Sequence, residues 1–285
     1  MGNYLSIFRP LNILFIALAQ GLCAYFLDFS ADLTSILEGG VHWLVIGTAA
    51  SAGFGYWVND FFDQERDFIN SQKSSPISSI DNNLVIIHLL AFISIALYAG
   101  NMLGVWFVLL FSFSIIFLFL YAKWLKNVAL LGNIIVATLC FFSLYSTYVL
   151  FSDIDFLLIL HFSILASFVT LAREMVKDAE DIEGDQATGA KTIPILMGTK
   201  ILNIAVYLVI LFCLTFMVTS LMSQKEYLST PLNYVYYVYC GLFILLPLYK
   251  SAVDVRYAKD KTEYTRLSLW LKYVLFVGVL SILFF

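Results

Sequence analysis

Asp60, Asp63 and Asp67 lie in "NDFFDQERD" (59–67), and Asp178, Asp181 and Asp185 lie in "REMVKDAEDIEGDQATGAKT" (173–192). Each stretch reads D-x-x-D-x-E-x-D, and all four acids, Glu65 and Glu183 included, repeat at one offset of 118 residues. Aspartates at i, i+3 and i+7 share one helical face, so each stretch is expected to present three carboxylates from a helix that continues out of an apolar segment. Glu174 extends the second face by one turn, whereas Glu65 and Glu183 point elsewhere.

Six aspartates meeting in one place repel one another and need a compensating cation. Arg66, Arg173 and Lys177 are too few to supply it. Oxygen donors without His or Cys partners favour Mg²⁺ over zinc or copper, and Mg²⁺ is usually held by one or two carboxylates together with substrate phosphates. Two facing acidic motifs therefore point to a pair or cluster of Mg²⁺ ions gripping a diphosphate. Arg66, Lys73, Lys123, Lys126, Arg173, Lys177 and Lys191 are the candidate phosphate contacts, with Lys126 and Lys177 the preferred pair. Asn12, Asn59 and Asn133 stand at expected helix ends, where an amide orients diphosphate or water, or bonds between helices. The histidines (His42, His88, His161) and the cysteines (Cys23, Cys140, Cys213, Cys240) are dispersed and form no ligand pattern.

The elements that must position these groups are membrane helices. The chain has 285 residues, 61% hydrophobic and 13% charged, with a mean hydropathy of +0.88, which excludes an ordinary soluble domain. Nine apolar segments are expected to cross the bilayer, roughly 10–27, 40–58, 83–101, 103–121, 128–150, 154–172, 200–222, 232–250 and 268–285. The first shows no cleavage site and is expected to stay as a helix. Alternating the loops between two sides gathers every Lys and Arg except Lys225 on one side, which the positive-inside rule makes cytoplasmic, together with the N-terminus and both acidic motifs. Asp28, Asp32, Glu38, Asp153, Asp155 and Glu226 fall opposite.

Each acidic motif follows the second helix of a set of four. The expected fold is thus all-α: one integral-membrane domain over 1–285, with repeat units at about 1–122 and 123–250 and a final helix at 268–285. Units with an even number of crossings keep the same orientation and are related by an axis near the membrane normal, which turns the two motifs toward each other. A bundle of this kind, rich in its 26 Phe and 17 Tyr, would house a hydrocarbon tail and shield a cation behind aromatic faces. A membrane-lipid environment is expected, and nucleic acid is not a partner.

The motifs resemble those of the UbiA-type intramembrane prenyltransferase superfamily. N-D-x-x-D-x-x-x-D stands here as Asn59-Asp60-Phe61-Phe62-Asp63 with Asp67, and D-x-x-x-D as Asp181 to Asp185. "RPLN" (9–12), "YAKWLKNVALLGN" (121–133) and "GAKTIPILMG" (189–198) are similar to further family segments. Arg173, Glu174, Lys177, Asp178, Asp181, Gly184 and Asp185 resemble most the archaeal-type digeranylgeranylglyceryl phosphate synthase branch. The resemblance implies Mg²⁺-dependent transfer of geranylgeranyl from its diphosphate to the hydroxyl of geranylgeranylglyceryl phosphate. In one departure, members usually carry Arg-Pro after the first motif where this chain has Ser75-Pro76, with Lys73 the nearest substitute.

Two alternatives remain open on the sequence. An aromatic prenyltransferase of quinone biosynthesis would use 4-hydroxybenzoate or dihydroxynaphthoate as acceptor. A cation-coupled transporter is disfavoured because the acids cluster at helix ends and no charge is expected to cross the interior. A phosphate-bearing acceptor would want a second basic site, for which Lys250, Arg256 and Lys259 are available.

Overall fold

The computed structural model describes residues 2–28, 32–71, 75–223 and 230–285. Lys73, Lys225 and Glu226 lie outside the described residues. Nine long helices organise what is described: α1 (Pro10–Phe26), α2 (Val41–Phe62), α3 (Asn82–Leu103), α4 (Val105–Lys123), α5 (Leu131–Leu150), α6 (Phe156–Glu180), α7 (Thr199–Ser223), α8 (Pro231–Val255, with a π-helical stretch over Cys240–Leu245) and α9 (Lys261–Leu280). Among the described residues, the seven from α3 to α9 are long and apolar enough to cross a membrane, and no β-strand is present.

α1 is shorter, at 17 residues. α2 has the length but not the hydropathy, and packing supplies the reason. Its small residues let neighbours approach closely: a Cβ at Gly53 would stand 2.6 Å from the Phe92 ring and one at Gly55 2.8 Å from Leu118, while Gly47 lies directly against Phe111. A helix covered by protein on this many sides meets little lipid, so small and hydroxyl side chains replace long apolar ones.

Two helices act as hubs. α2 packs against α1, α3 and α4, and α6 packs against α5, α7 and α9. One core, including Leu44, Phe54, Ala96, Phe107 and Phe111, fills the first half, and another, including Val169, Leu202, Tyr236, Leu248 and Leu271, fills the second. A third cluster, including Cys23, Leu144, Leu158 and Ile282, ties α1 to α5, α6 and the C-terminal end.

Several expected boundaries move outward. The apolar crossing expected at 154–172 continues as one helix to Glu180, so Arg173, Glu174, Lys177 and Asp178 are part of α6. α9 begins at Lys261 rather than 268, because Asp260 accepts a bond from the Glu263 amide while Glu263 reaches back to the Asp260 amide, a reciprocal cap that starts the helix early. Lys272 consequently stands well into α9 rather than near its start, against the expectation that no charge enters the interior. The acidic faces are also corrected: neither motif lies on one continuous helix. α2 stops at Phe62, Asp63 sits at φ −96°, ψ 6°, and a surface helix follows over Gln64–Ser71. α6 stops at Glu180, Asp181 sits at φ −104°, ψ 13°, and a short helix follows over Ile182–Ala187. Aspartate favours such helix-end positions, where its carboxylate is free to bond away from its own backbone.

Candidate active site

The two helix breaks match in detail. The Asp63 amide donates to the Asn59 carbonyl (2.9 Å) and the Asp67 amide to that of Asp63 (2.8 Å); the Asp181 amide donates to Lys177 (2.9 Å) and the Asp185 amide to Asp181 (3.0 Å). Donors and acceptors in the second set stand 118 residues after those in the first. The helices that deliver partner side chains begin alike as well. Arg9 (φ 46°) precedes α1 and Leu130 (φ 64°) precedes α5, the two non-glycine residues with positive φ among those described. A left-handed residue without glycine's freedom costs on the order of 1–2 kcal/mol. Here it aims Asn12 and Asn133, each three residues further on, into the site.

In the first motif, Asp60 is buried and receives Arg9 Nη2 at 2.7 Å, while the Arg9 guanidinium also lies 4.8 Å from the centre of the Tyr56 ring. Asp63, also buried, receives Lys126 Nζ at 2.5 Å, and the same ammonium donates to Asn59 Oδ1 at 3.3 Å. In the second motif, Asn133 Nδ2 donates to Asp178 at 3.1 Å and Asn70 Nδ2 to Asp181 at 3.1 Å.

The motifs face each other. Arg66 lies 3.6 Å from Asp63 and 3.2 Å from Asp185, and its Nη2 also donates to Asn127 Oδ1 at 2.5 Å. Asn70, one turn further along the same surface helix, accepts from the Gly184 amide at 2.8 Å. This contact requires glycine, since a Cβ at 184 would stand 2.6 Å from Asn70 Nδ2. Glu65 and Glu183 are exposed.

Burial dominates the electrostatics. The Asp181 carboxyl is pushed up to about 7, first by burial and then by Glu180 and Asp185. Asp67 is pushed up to about 6 by burial, then by Asp63 and Asp60. Asp185 is raised by burial against the pull of Arg66, and burial lowers the Lys126 ammonium against the pull of Asp63. Charge on these acids is thus costly without a cation beside them. Among the described residues no three His, Cys, Asp or Glu side chains form a ready-made metal cage. The donor set is nonetheless all oxygen, and it fits Mg²⁺ held by one or two carboxylates at a time and completed by phosphate oxygens.

Behind the motifs a cavity of about 830 Å³ runs between α1, α2, α4, α5, α6 and α9. Its polar end carries Arg9, Asn12, Tyr56, Asn59, Tyr121, Arg173, Glu174, Lys177 and Lys272. Its deep walls are apolar, with Phe15, Phe111, Leu139, Phe142 and Phe276. The lining residues Leu11, Leu14 and Phe276 are also exposed, so the wall between α1 and α9 opens sideways.

The expected phosphate contacts divide into separate groups. Arg66 and Lys126 sit among the aspartates, and Arg173 and Lys177 sit on the cavity wall, both bonded to Glu174 (2.9 and 2.8 Å). Lys123 is not brought in: the last residue of α4, it is exposed and lies over the Trp124 ring at 4.3 Å. Lys191 joins only through its backbone, whose amide donates to the Asn127 carbonyl at 2.8 Å, and its side chain is exposed. Ser75, where the family pattern has arginine, is buried, and its carbonyl accepts from Ser78 Oγ at 2.7 Å. Lys250 and Arg256 face aromatic rings, Trp270 and Tyr207, rather than the cavity. Sequence reasoning missed Arg9 and Asn70 as partners of the acids and Lys272 as a lining residue. For Lys272 the available signal was a lone lysine within an apolar run.

The family model for the UbiA prenyltransferase family matches residues 10–279. The digeranylgeranylglyceryl phosphate synthase of Methanobrevibacter smithii is 32% identical, with the whole of both chains covered. Among solved structures, a digeranylgeranylglyceryl phosphate synthase superposes with a TM-score of 0.64 at 20% identity, covering 99% of this chain and 96% of the other. A UbiA homologue from Archaeoglobus fulgidus bound to DMAPP and Mg²⁺ superposes with a TM-score of 0.68 at 15% identity, covering 96% and 98%. The helices and the family match make this an integral membrane protein. With paired aspartate motifs clasped together, each next in sequence to a residue of the cavity wall (Asn59 and Lys177), and a family match over almost its full length, the chain belongs to the UbiA prenyltransferase family.

Proposed function

We propose that this protein transfers a geranylgeranyl group from its diphosphate to the free hydroxyl of geranylgeranylglyceryl phosphate, with Mg²⁺ as cofactor. The observation that carries this reading is the pair of acidic motifs clasped by Arg66 and Asn70, whose sequence neighbours Asn59 and Lys177 stand at the polar end of an apolar cavity. The full-length likeness to a digeranylgeranylglyceryl phosphate synthase supports the choice of acceptor.

Asp60, Asp63, Asp67, Asp178, Asp181 and Asp185 would hold the metal together with the donor's diphosphate. Bound there, Mg²⁺ supplies Lewis acidity that stabilises diphosphate as a leaving group. Arg66 and Lys126, already among the carboxylates, would contact phosphate oxygens. Asn12, Asn59 and Asn133 orient the head groups, and the apolar walls hold the prenyl tail and keep water from the reacting carbon. The allylic C–O bond breaks, the acceptor hydroxyl oxygen forms the ether, and its proton is released. Lys73 lies outside the described residues, and Lys123 and Lys191 are exposed and are given no phosphate contact.

In this reading α1 and α2 join the other helices as crossings, for nine in all, with the N-terminus and both motifs cytoplasmic. The chain is a single domain of two units, about 1–122 and 123–250, followed by the final helix. The matched backbone bonds around Asp63 and Asp181, and the matched entries to α1 and α5, support the repeat. α9 departs from it: it packs on α6, where α4 packs on α2 in the first unit.

The test is to supply membranes containing the protein with labelled geranylgeranyl diphosphate and, in parallel, geranylgeranylglyceryl phosphate, 4-hydroxybenzoate or dihydroxynaphthoate. Ether product that requires Mg²⁺ is expected with the first acceptor alone. Product with an aromatic acceptor only would replace the acceptor assignment.

A further inference from the structure

We infer that the cations on the cavity wall, Arg9, Arg173, Lys177 and Lys272, form the subsite for the acceptor's phosphate monoester, and that Lys272 distinguishes phosphorylated from neutral acceptors. This inference rests on the transfer reading above.

The placement of Lys272 follows from helix register. Thr265 of α9 donates its hydroxyl to Glu180 of α6 at 2.9 Å and pins the two antiparallel helices together. Seven residues further along α9 comes Lys272, and seven residues back along α6 comes Arg173. Both therefore stand about 10 Å inward of that bond, at 1.5 Å of rise per residue. Lys272, Arg173, Lys177 and Arg9 all line the cavity, and the last three lie within electrostatic reach of Lys272.

Charge on this wall is unbalanced. The four cations face two carboxylates: Glu174, shared by Arg173 and Lys177, and Asp60, taken by Arg9. Among the described residues Lys272 has no hydrogen bond or ion pair, and Arg173 Nε is a buried donor with no partner. An ammonium halfway along a membrane helix is expensive unless an anion or a polar cavity receives it. The surplus of two positive charges suits a phosphate monoester, which carries about −1.5 to −2 at neutral pH. It does not duplicate the donor's site, because Arg66 and Lys126 lie among the aspartates and do not line the cavity. Two anions are thereby kept apart: diphosphate at the aspartates and monoester on the α6–α9 wall. The apolar chamber beside them receives the hydrocarbon chains.

The test uses the full-length protein in detergent, with geranylgeranylglyceryl phosphate and its neutral, dephosphorylated counterpart as probes. Direct binding of each is measured alongside steady-state kinetics. Wild type is expected to bind the phosphorylated lipid more tightly. Lys272→Gln should weaken that binding and raise the acceptor KM about tenfold, the loss of one charged hydrogen bond. Binding of the neutral lipid and the donor KM should not change, and Lys272→Arg should restore the preference. Unchanged neutral-lipid binding also shows that the variant is folded. An undiminished preference for the phosphorylated lipid in Lys272→Gln, or a rise in donor KM instead, overturns the subsite. If wild type binds the phosphorylated lipid through Lys272 yet transfers nothing to it, the transfer reading fails while the subsite stands.

Discussion

The two acidic motifs share spacing and backbone bonds but not their partners. In the first, Asp60 and Asp63 face full charges, Arg9 and Lys126. In the second, Asp178 and Asp181 face neutral amides, Asn133 and Asn70, and only Asp185 has a cation, Arg66, which it shares with Asp63. One motif thus carries counter-charges built into the chain, while the other is left to be neutralised by a proton or by something that arrives. A cofactor that brings two positive charges gains most at the second motif. The first, already paired, must exchange its partners with the incoming phosphate groups.

The sharpest way to break this contrast is to remove one acid from each side. Asp63→Ala and Asp181→Ala should each reduce turnover by at least about 10²–10³-fold, the scale seen when one group stabilising the transition state is lost. They should differ in metal demand: the Mg²⁺ concentration for half-maximal binding, followed by calorimetry with a diphosphate present, should rise more for Asp181→Ala. Equal shifts would mean that the difference in partners has no consequence for the metal.

Arg66 tests the bridge itself. Arg66→Ala leaves Asp63 and Asp185 facing each other with less compensation, and breaking a buried pair in this way costs about 3–5 kcal/mol. A lower melting temperature is expected, with partial recovery on adding Mg²⁺. Arg66→Lys should recover less than half of the loss, because one ammonium cannot match the fork that reaches both acids and Asn127.

Gly184→Ala tests the close approach. The new methyl would meet the Asn70 amide, and overpacking of this kind costs about 1–3 kcal/mol. Turnover should fall while donor binding changes little, and Asn70→Ser, which makes room, should restore part of it.

The pH dependence has a definite sign. The Asp181 carboxyl is raised to about 7 and that of Asp67 to about 6, above an ordinary value of 3.8. A raised folded-state value means that the metal-free folded protein binds these protons more tightly than the unfolded chain. Their contribution to stability is full below pH 3.8 and is lost as pH rises through 6 and 7. Mg²⁺ competes with the same protons, so its affinity should rise over that window. Melting curves from pH 5 to about 8, with and without Mg²⁺, should therefore diverge, and Asp181→Asn should remove the upper part of the divergence. The smallest effect is expected at the exposed acids: Glu65→Gln and Glu183→Gln should leave stability within about 0.5 kcal/mol.

The acids were legible because chemistry and spacing coincide: four acidic positions recurring at one offset is a pattern that chance composition rarely makes. Their partners were not. Arg9 reaches Asp60 across 51 residues, Asn70 reaches Asp181 across 111, and Lys126 reaches Asp63 across 63. No local rule selects those residues over other polar ones near a helix end. Helix ends were misplaced for a related reason. Apolar composition marks the stretch that meets lipid, but α6 and α9 continue past it where protein and caps, rather than lipid, satisfy them.

By itself the sequence determined that this is a helical membrane protein with two copies of an acidic motif on one side, because hydropathy and residue spacing act locally along the chain. Only the tertiary structure decided which charges meet. Arg66 was brought between the two motifs and Lys123 turned away, although both had looked equally suited to phosphate. Lys272 was carried on the last helix to the wall of the cavity. Those outcomes depend on how helices pack and in what register, and electrostatic energy between side chains is set by distance in space rather than by distance in sequence.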